Sequence, residues 1–260
     1  MSLDRLPSDF LMIGANPPLQ KIFSDRTLLV INKHSGQLFH GRTDGLPQSL
    51  VEQIRSSLKE EKSGSTNPYL GVVHRLDRPV SGICIFGRNS KFTGRLSQQF
   101  SDRTAQKIYL ALVHGRMESA GITEWQDELE ELPTDRNLGG AIKTCRLKLQ
   151  VIGSDPTHSL VQISLMTGRR HQIRRQFSKR GFPIVGDIEY GAPTVEYFEK
   201  TIEDRRFRPI LLHSFCLSLT HPASSERVSF VAEAPDFWQV LLKGSELGSI
   251  PLLPRLEWSS

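Results

Sequence analysis

Cysteine is scarce in this chain, and its placement excludes more than its number. The 260 residues hold three, Cys84, Cys145 and Cys216. They are odd in number, widely separated and set in apolar or strand-like sequence. Buried reduced thiols are therefore expected, not a disulfide framework. The eight histidines form no H-x-x-x-H pair and no cluster with cysteine, which removes the usual zinc spacings. Long apolar runs are missing too. From Met1 to Pro18 the chain carries Asp4, Asp9 and prolines but no extended hydrophobic core, so neither a signal peptide nor a membrane span is expected. A cytoplasmic protein fits these absences best.

What is present describes an ordinary globular chain, 38% hydrophobic and 23% charged, long enough to bury a sizeable core. Thirty-three Lys and Arg stand against 28 Asp and Glu, a net charge of +5 that points only mildly to a polyanionic partner. The first twenty residues read as an irregular lead-in, and Thr27 to Asn32 as a strand. Pro47 to Lys62 reads as a helix, with Pro47 in its first turn and Leu50, Val51, Ile54 and Leu58 on one stripe. Asn89 to Arg103 is a second amphipathic helix. Strands are expected at 106–114, 144–151, 159–166, 211–220 and 227–231, a short basic helix near Arg169, and a helical turn at 237–242. The interleaving lacks a regular βαβ alternation. It predicts an α+β fold around a mixed, mostly antiparallel sheet flanked by helices and loops. No linker divides the chain, so 21–245 is expected to be one domain and 246–260 a tail.

Three segments carry candidate chemistry. The run Val73 to Gly82 sets one carboxylate, Asp77, between Arg75 and Arg78 and ends in Pro79 and Ser81-Gly82. Its flanks, Tyr69 to Val73 and Ile83 to Phe86, read as buried strands, and a charged loop between core strands suits a rigidly placed catalytic group. A surface Arg-Asp-Arg pairing that tidies a turn fits the same residues. The second segment, Thr167 to Arg180, is strongly basic and contains no acidic residue. Either a solvated helix or a surface for a phosphate backbone would explain it, and the lack of acidic partners favours the phosphate. In the third, Gln106 to Gly115, Lys107 and Tyr109 share one face of a strand; a base and its phosphate would suit them, and plain core packing of the tyrosine fits the same residues.

Together these segments resemble the RluA/TruC-type pseudouridine synthases. The match comprises His74-Arg75-Leu76-Asp77 with Ser81-Gly82, Lys107-x-Tyr109 with Val113 and Gly115, and Thr167-Gly168-Arg169-x-His171-Gln172-Ile173-Arg174. Gly181-x-Pro183-Ile184-x-Gly186-Asp187, Tyr190-Gly191, Leu212-His213 and His221-Pro222 extend it, and the resemblance runs from about residue 20 to about residue 240. Three departures stand out: His34 where the family usually has proline, Gln176 where it usually has histidine, and a lead-in too short for the RNA-binding module some relatives carry.

The resemblance implies a pseudouridine synthase fold with a catalytic cleft across the sheet. It implies isomerisation of uridine in tRNA or rRNA by base flipping, with no cofactor and no metal. Asp77 would be the essential carboxylate, Arg174 its partner, and Tyr109 the ring against the uracil. Arg75 would fill the vacated stack or bind a flanking phosphate. Arg169, Arg170, Arg175, Lys179 and Arg180 would contact the RNA backbone collectively. A monomer is expected. Two other readings compete: an RNA chaperone using the same basic surface, and a glycosidase pairing Asp77 with Asp187 or Glu189.

Overall fold

A computed structural model of the protein describes residues 17–41, 47–61, 68–119, 121–133, 138–202, 208–243 and 246–249. Most of the expected lead-in and most of the expected tail lie outside these residues. In chain order the elements are β1 (Gln20–Ser24), β2 (Leu28–Lys33), α1 (Leu50–Glu61), β3 (Gly71–Val72), β4 (Ser81–Gly87), α2 (Ser90–Ser101) and β5 (Gln106–His114). There follow β6 (Ile122–Glu130), β7 (Ile142–Ser154), β8 (His158–Leu165), α3 (Gln172–Lys179), α4 (Glu196–Thr201), β9 (Leu212–Thr220), β10 (Arg227–Val231) and α5 (Phe237–Leu242).

The ten strands of the described residues join one sheet of order β1-β2-β4-β9-β5-β8-β7-β6, with β3 added to β4 and β10 to β9. Every described pairing is antiparallel except β4 with β9, where Ser81 faces His213 and Gly82 faces Ser214. The central strands are apolar on both sides because both faces are covered. Leu29 and Ile31 of β2, Cys84 and Phe86 of β4, and Tyr109, Ala111 and Val113 of β5 share one core with Leu50, Ile54 and Leu58 of α1 and Ile173 and Phe177 of α3. On the other face Leu28, Val30, Ile83 and Ile85 pack with Leu96 of α2. Ile108, Leu110 and Leu112 pack with Phe237 and Trp238 of α5. The period of two along β5 thus decides which side Tyr109 takes.

Several boundaries differ from the sequence reading for identifiable reasons. Helix α1 starts at Leu50, not Pro47, because Ser49 and Glu52 form a capping box: the Ser49 amide and hydroxyl both donate to Glu52 Oε2, at 3.0 Å each. Only Gly71–Val72 of the flank before the Asp77 run is strand, and Val72 is exposed, so that flank is not a buried strand. Strand β6 was not expected, since its outward residues Glu124, Gln126, Glu128 and Glu130 hide an alternation whose inward members are Trp125, Asp127 and Leu129. The expected tail begins later than 246: Glu246–Ser249 forms a 3-10 turn, and its Leu247 is buried in the core beneath α5. Cys84, Cys145 and Cys216 are unpaired and buried, and burial pushes the Cys84 thiol up to about 12. Among the described residues no helix is long and apolar enough to cross a membrane.

Candidate active site

The backbone around Asp77 is held from three directions. The Val80 amide closes a turn onto the Asp77 carbonyl at 3.2 Å, the Gly36 amide donates to Arg78 O at 2.9 Å, and the Ile210 amide donates to Pro79 O at 3.2 Å. The ammonium of Lys33 is wholly buried and donates to the carbonyls of His34, Arg78 and Val80 at 2.9, 3.0 and 2.7 Å. Burial lowers that ammonium to about 8, and Asp77 is among the groups that work against the shift. Lys33 had no assigned role in the sequence reading. A lysine ending an apolar strand was the signal for it, because burial forces its three protons to find acceptors.

His74 anchors the other end of the run. Its Nε2 accepts the Ile85 amide at 2.9 Å, and its ring stacks on Phe100 with centroids 4.8 Å apart. Burial, helped by the nearby Lys107, lowers it to about 3, so it stands as a neutral spacer between the loop, β4 and α2. Arg78 turns its Nε to the Gly36 carbonyl, 3.1 Å away. The nearest basic side chains to Asp77 come instead from the basic segment: Oδ2 lies 3.6 Å from His171 Nε2 and 3.7 Å from Arg174 Nη1, the latter an ion pair.

Arg174 is nearly inaccessible, and its hydrogen bonds go elsewhere. Nε and Nη2 grip Asp187 at 2.6 and 2.7 Å, and Nη2 also donates to Glu189 at 2.7 Å. The guanidinium lies 4.8 Å from the centroid of the Tyr190 ring. Burial opposes its charge, but Asp187, Asp77 and Glu189 together raise its pKa. The Arg174–Asp77 pairing expected from the sequence is thus a longer coulombic contact through Nη1, while Asp187 holds the fork. His171, at a left-handed φ of 54°, turns the chain into α3, and its Nδ1 is hydrogen-bonded to the Tyr190 hydroxyl at 2.9 Å. Burial lowers its pKa despite Asp77, so it faces the carboxylate largely uncharged. Gln172 secures this turn: its Oε1 accepts from Thr167 Oγ1 and the Arg169 amide, and its Nε2 donates to Arg146 O and to Gln176.

Tyr109 approaches from the middle of β5, hydrogen-bonded to Ser214, and burial raises its pKa so the hydroxyl keeps its proton. With Asp77, Arg174, Lys107 and the 165–174 segment it lines a cleft of about 560 Å³. Arg75 is exposed at its rim. Among the described residues lining this cleft Asp77 is the one carboxylate, against Arg75, Arg103, Lys107, Arg169, Arg170 and Arg174. Asp187 and Glu189 both lie outside it, Asp187 only 1% exposed and each tied to Arg174, which removes the second carboxylate that a glycosidase reading needs. No group of three or more histidine, cysteine or carboxylate side chains among the described residues is arranged to hold a metal ion.

The basic helix does not present all its cations to this cleft. Asp127 of β6 takes Lys179 and Arg180 at 2.8 Å each, and Arg180 also covers the Trp125 ring at 4.3 Å. Arg175 donates to Glu130 O at 2.7 Å, and Arg170 to Pro133 O. The acidic partners that the segment lacks in sequence are supplied in space by β6 and the turn after α3, so self-repulsion does not demand an outside anion. Gln176, at the position where histidine was expected, is fully buried and links Gln172 to Asp127.

The architecture is that of the pseudouridine synthases. It superposes on human RNA pseudouridylate synthase domain containing 4 with a TM-score of 0.66, over 86% of this chain and 91% of that one, at 24% identity. The sequence carries the assignment further: residues 27–179 match the RNA pseudouridylate synthase family, and the chain belongs to it. Ribosomal large subunit pseudouridine synthase D of Neisseria meningitidis is 32% identical over 230 residues, which cover 84% of this chain. The chain spans 59% of the length of that relative. The tRNA pseudouridine synthase C of Haemophilus ducreyi is 28% identical over 238 residues, 86% of this chain and 94% of that protein.

Proposed function

We propose that this protein is an RNA pseudouridine synthase whose essential group is Asp77. One observation carries the reading: a single carboxylate among the described lining residues, on a loop pinned from three sides, stands in a cleft whose other charged side chains are cations. A pure RNA binder has no use for a negative charge facing phosphates, whereas a reaction at the sugar–base bond does. In that reaction the N1–C1′ bond of uridine breaks, a C5–C1′ bond forms, C5 loses its proton and N1 gains one. Asp77 acts on the sugar or the base as nucleophile or as base. The chemistry is redox-neutral and draws on no cofactor.

The target must leave its helix to reach Asp77. Stacking on Tyr109 recovers roughly 1–3 kcal/mol per base, comparable with the few kcal/mol that flipping costs. Arg174 keeps Asp77 in a cationic setting and in one place, which matters more than charge alone. Arg75, exposed at the rim, fills the vacated stack or meets a flanking phosphate. The substrate is structured RNA, rRNA or tRNA, as the names of the relatives indicate for those proteins. On this reading the chain from residue 21 through the turn at Glu246–Ser249 acts as one catalytic unit, monomeric and cytoplasmic.

The test is tritium release from rRNA and tRNA transcripts labelled at uridine C5. The wild-type chain releases tritium from its target RNA. Asp77→Asn releases none yet binds that RNA with an affinity within a few-fold of wild type. Full turnover by the variant would refute the assignment.

A further inference from the structure

Besides Arg75 at the rim, three cations of the cleft make no side-chain hydrogen bond or ion pair among the described residues. Lys107, at the start of β5, is partly buried with no hydrogen bond or ion pair among the described residues, and its nearest strong electrostatic neighbour is another cation, Arg103. Its ammonium reaches the segment after β8, where a Cβ on Gly168 would sit 3.6 Å from Nζ. Next to that glycine, Arg169 keeps a buried Nε without a partner. Arg103 holds φ at 60°, a left-handed conformation that glycine or asparagine would adopt more cheaply, as the chain passes from α2 to β5. A half-buried unpaired lysine and an unsatisfied guanidinium nitrogen on one opening are each costly when no anion is bound. The cost is offset if an anion enters.

We propose that Arg103, Lys107 and Arg169 form a cradle for one phosphodiester of the RNA strand, beside the nucleotide delivered to Asp77. This rests on the proposed function for the identity of the strand, but the cradle itself is a binding site that can be read without turnover. It also moves the electrostatic contact with RNA. The outward cations of α3, Arg175, Lys179 and Arg180, are engaged by β6, whereas the cradle residues are free to release counterions on binding. Phosphate fits better than a lone carboxylate, because three donors from two walls match several oxygens of one tetrahedral group.

The experiment uses a short 5′-labelled oligouridylate and the full chain, with binding followed by fluorescence anisotropy from about 50 to about 200 mM salt. Lys107→Gln and Arg103→Gln should each weaken binding by about tenfold and lower the slope of log K against log salt by about 0.7, the value for one phosphate of a single strand. A single neutral methylphosphonate, scanned along the oligonucleotide, should at one position erase the difference between wild type and Lys107→Gln. Lys107→Gln should leave the melting temperature equal or higher, since it removes an unpaired cation. Arg180→Gln should lower the melting temperature and leave the salt slope unchanged. An unchanged slope in both cradle variants, or a melting temperature that falls in Lys107→Gln, overturns the cradle. If the slopes change as stated but the wild-type chain releases no tritium from any RNA, the activity fails and the cradle stands.

Discussion

Arg174 shows how one residue can serve the site and the fold together. Its fork is closed on Asp187, whose side chain is almost wholly buried, and the remaining Nη1 faces Asp77. Removing the guanidinium leaves a buried carboxylate unpaired, which typically costs about 3–5 kcal/mol. Arg174→Ala is therefore expected to lose stability of that order in denaturant unfolding and to lose tritium release as well. Arg174→Lys keeps the charge but cannot bind bidentately, so it should fall between the two in both measurements. A stability loss below about 1 kcal/mol for the alanine variant would contradict the buried cluster. Asp187 stood in the sequence as a possible second catalytic acid, and its real task became visible only once α3 and the 184–187 turn were in contact.

The parallel seam between β4 and β9 is the element on which the site depends. Asp77 precedes β4, Tyr109 lies on β5, and β9 separates them, so the seam sets the distance across the cleft. Ser81 donates to His213 Nδ1 at 2.8 Å, because His213 Nε2 is occupied in donating to the Ala232 carbonyl at 3.0 Å. At Gly82, with φ of 112°, a Cβ would fall 2.3 Å from the Ser214 carbonyl oxygen. Gly82→Ala thus combines backbone strain with overpacking and should destabilise by about 2–4 kcal/mol in thermal or urea unfolding. A variant within about 0.5 kcal/mol of wild type would mean that the seam can open without penalty. The Ser81-Gly82 pair was legible as a turn signal, but not as the contact point of two strands more than 130 residues apart. Elements with strong local patterns, such as β5, β10 and α5, were legible to the residue. Strand β6 was not, since a charged edge strand looks like a loop until its inward face is known.

For the whole molecule the buried histidines decide the response to acid. Burial lowers His74 to about 3 and His213 to about 4, both far below the ordinary 6.5. Between 6.5 and these values the unfolded chain binds protons that the folded chain does not, so stability rises with pH across that window. The contribution is fully present above about 6.5 and is lost as pH falls through about 4 and then about 3. Melting temperature should fall as pH drops from about 6.5 to about 4, and less steeply in His213→Gln, on the order of 3 kcal/mol being at stake for that residue. A flat profile over this window would show that the two rings are accessible in the folded state.

The sequence by itself determined the family, the mostly antiparallel α+β architecture and the grouping of Asp77, Tyr109 and Arg174. Short motifs with defined spacing, and hydrophobic periods of two and 3.6, are local properties that survive without coordinates. Only the tertiary structure decided which charges meet. Arg174 turned out to be clamped by Asp187, the outward cations of α3 to be engaged by β6, and Lys107 and Arg103 to have no side-chain partner among the described residues. The physical reason is that electrostatic partners are chosen by proximity and burial. In this fold the strands that bring them together are far apart in the chain.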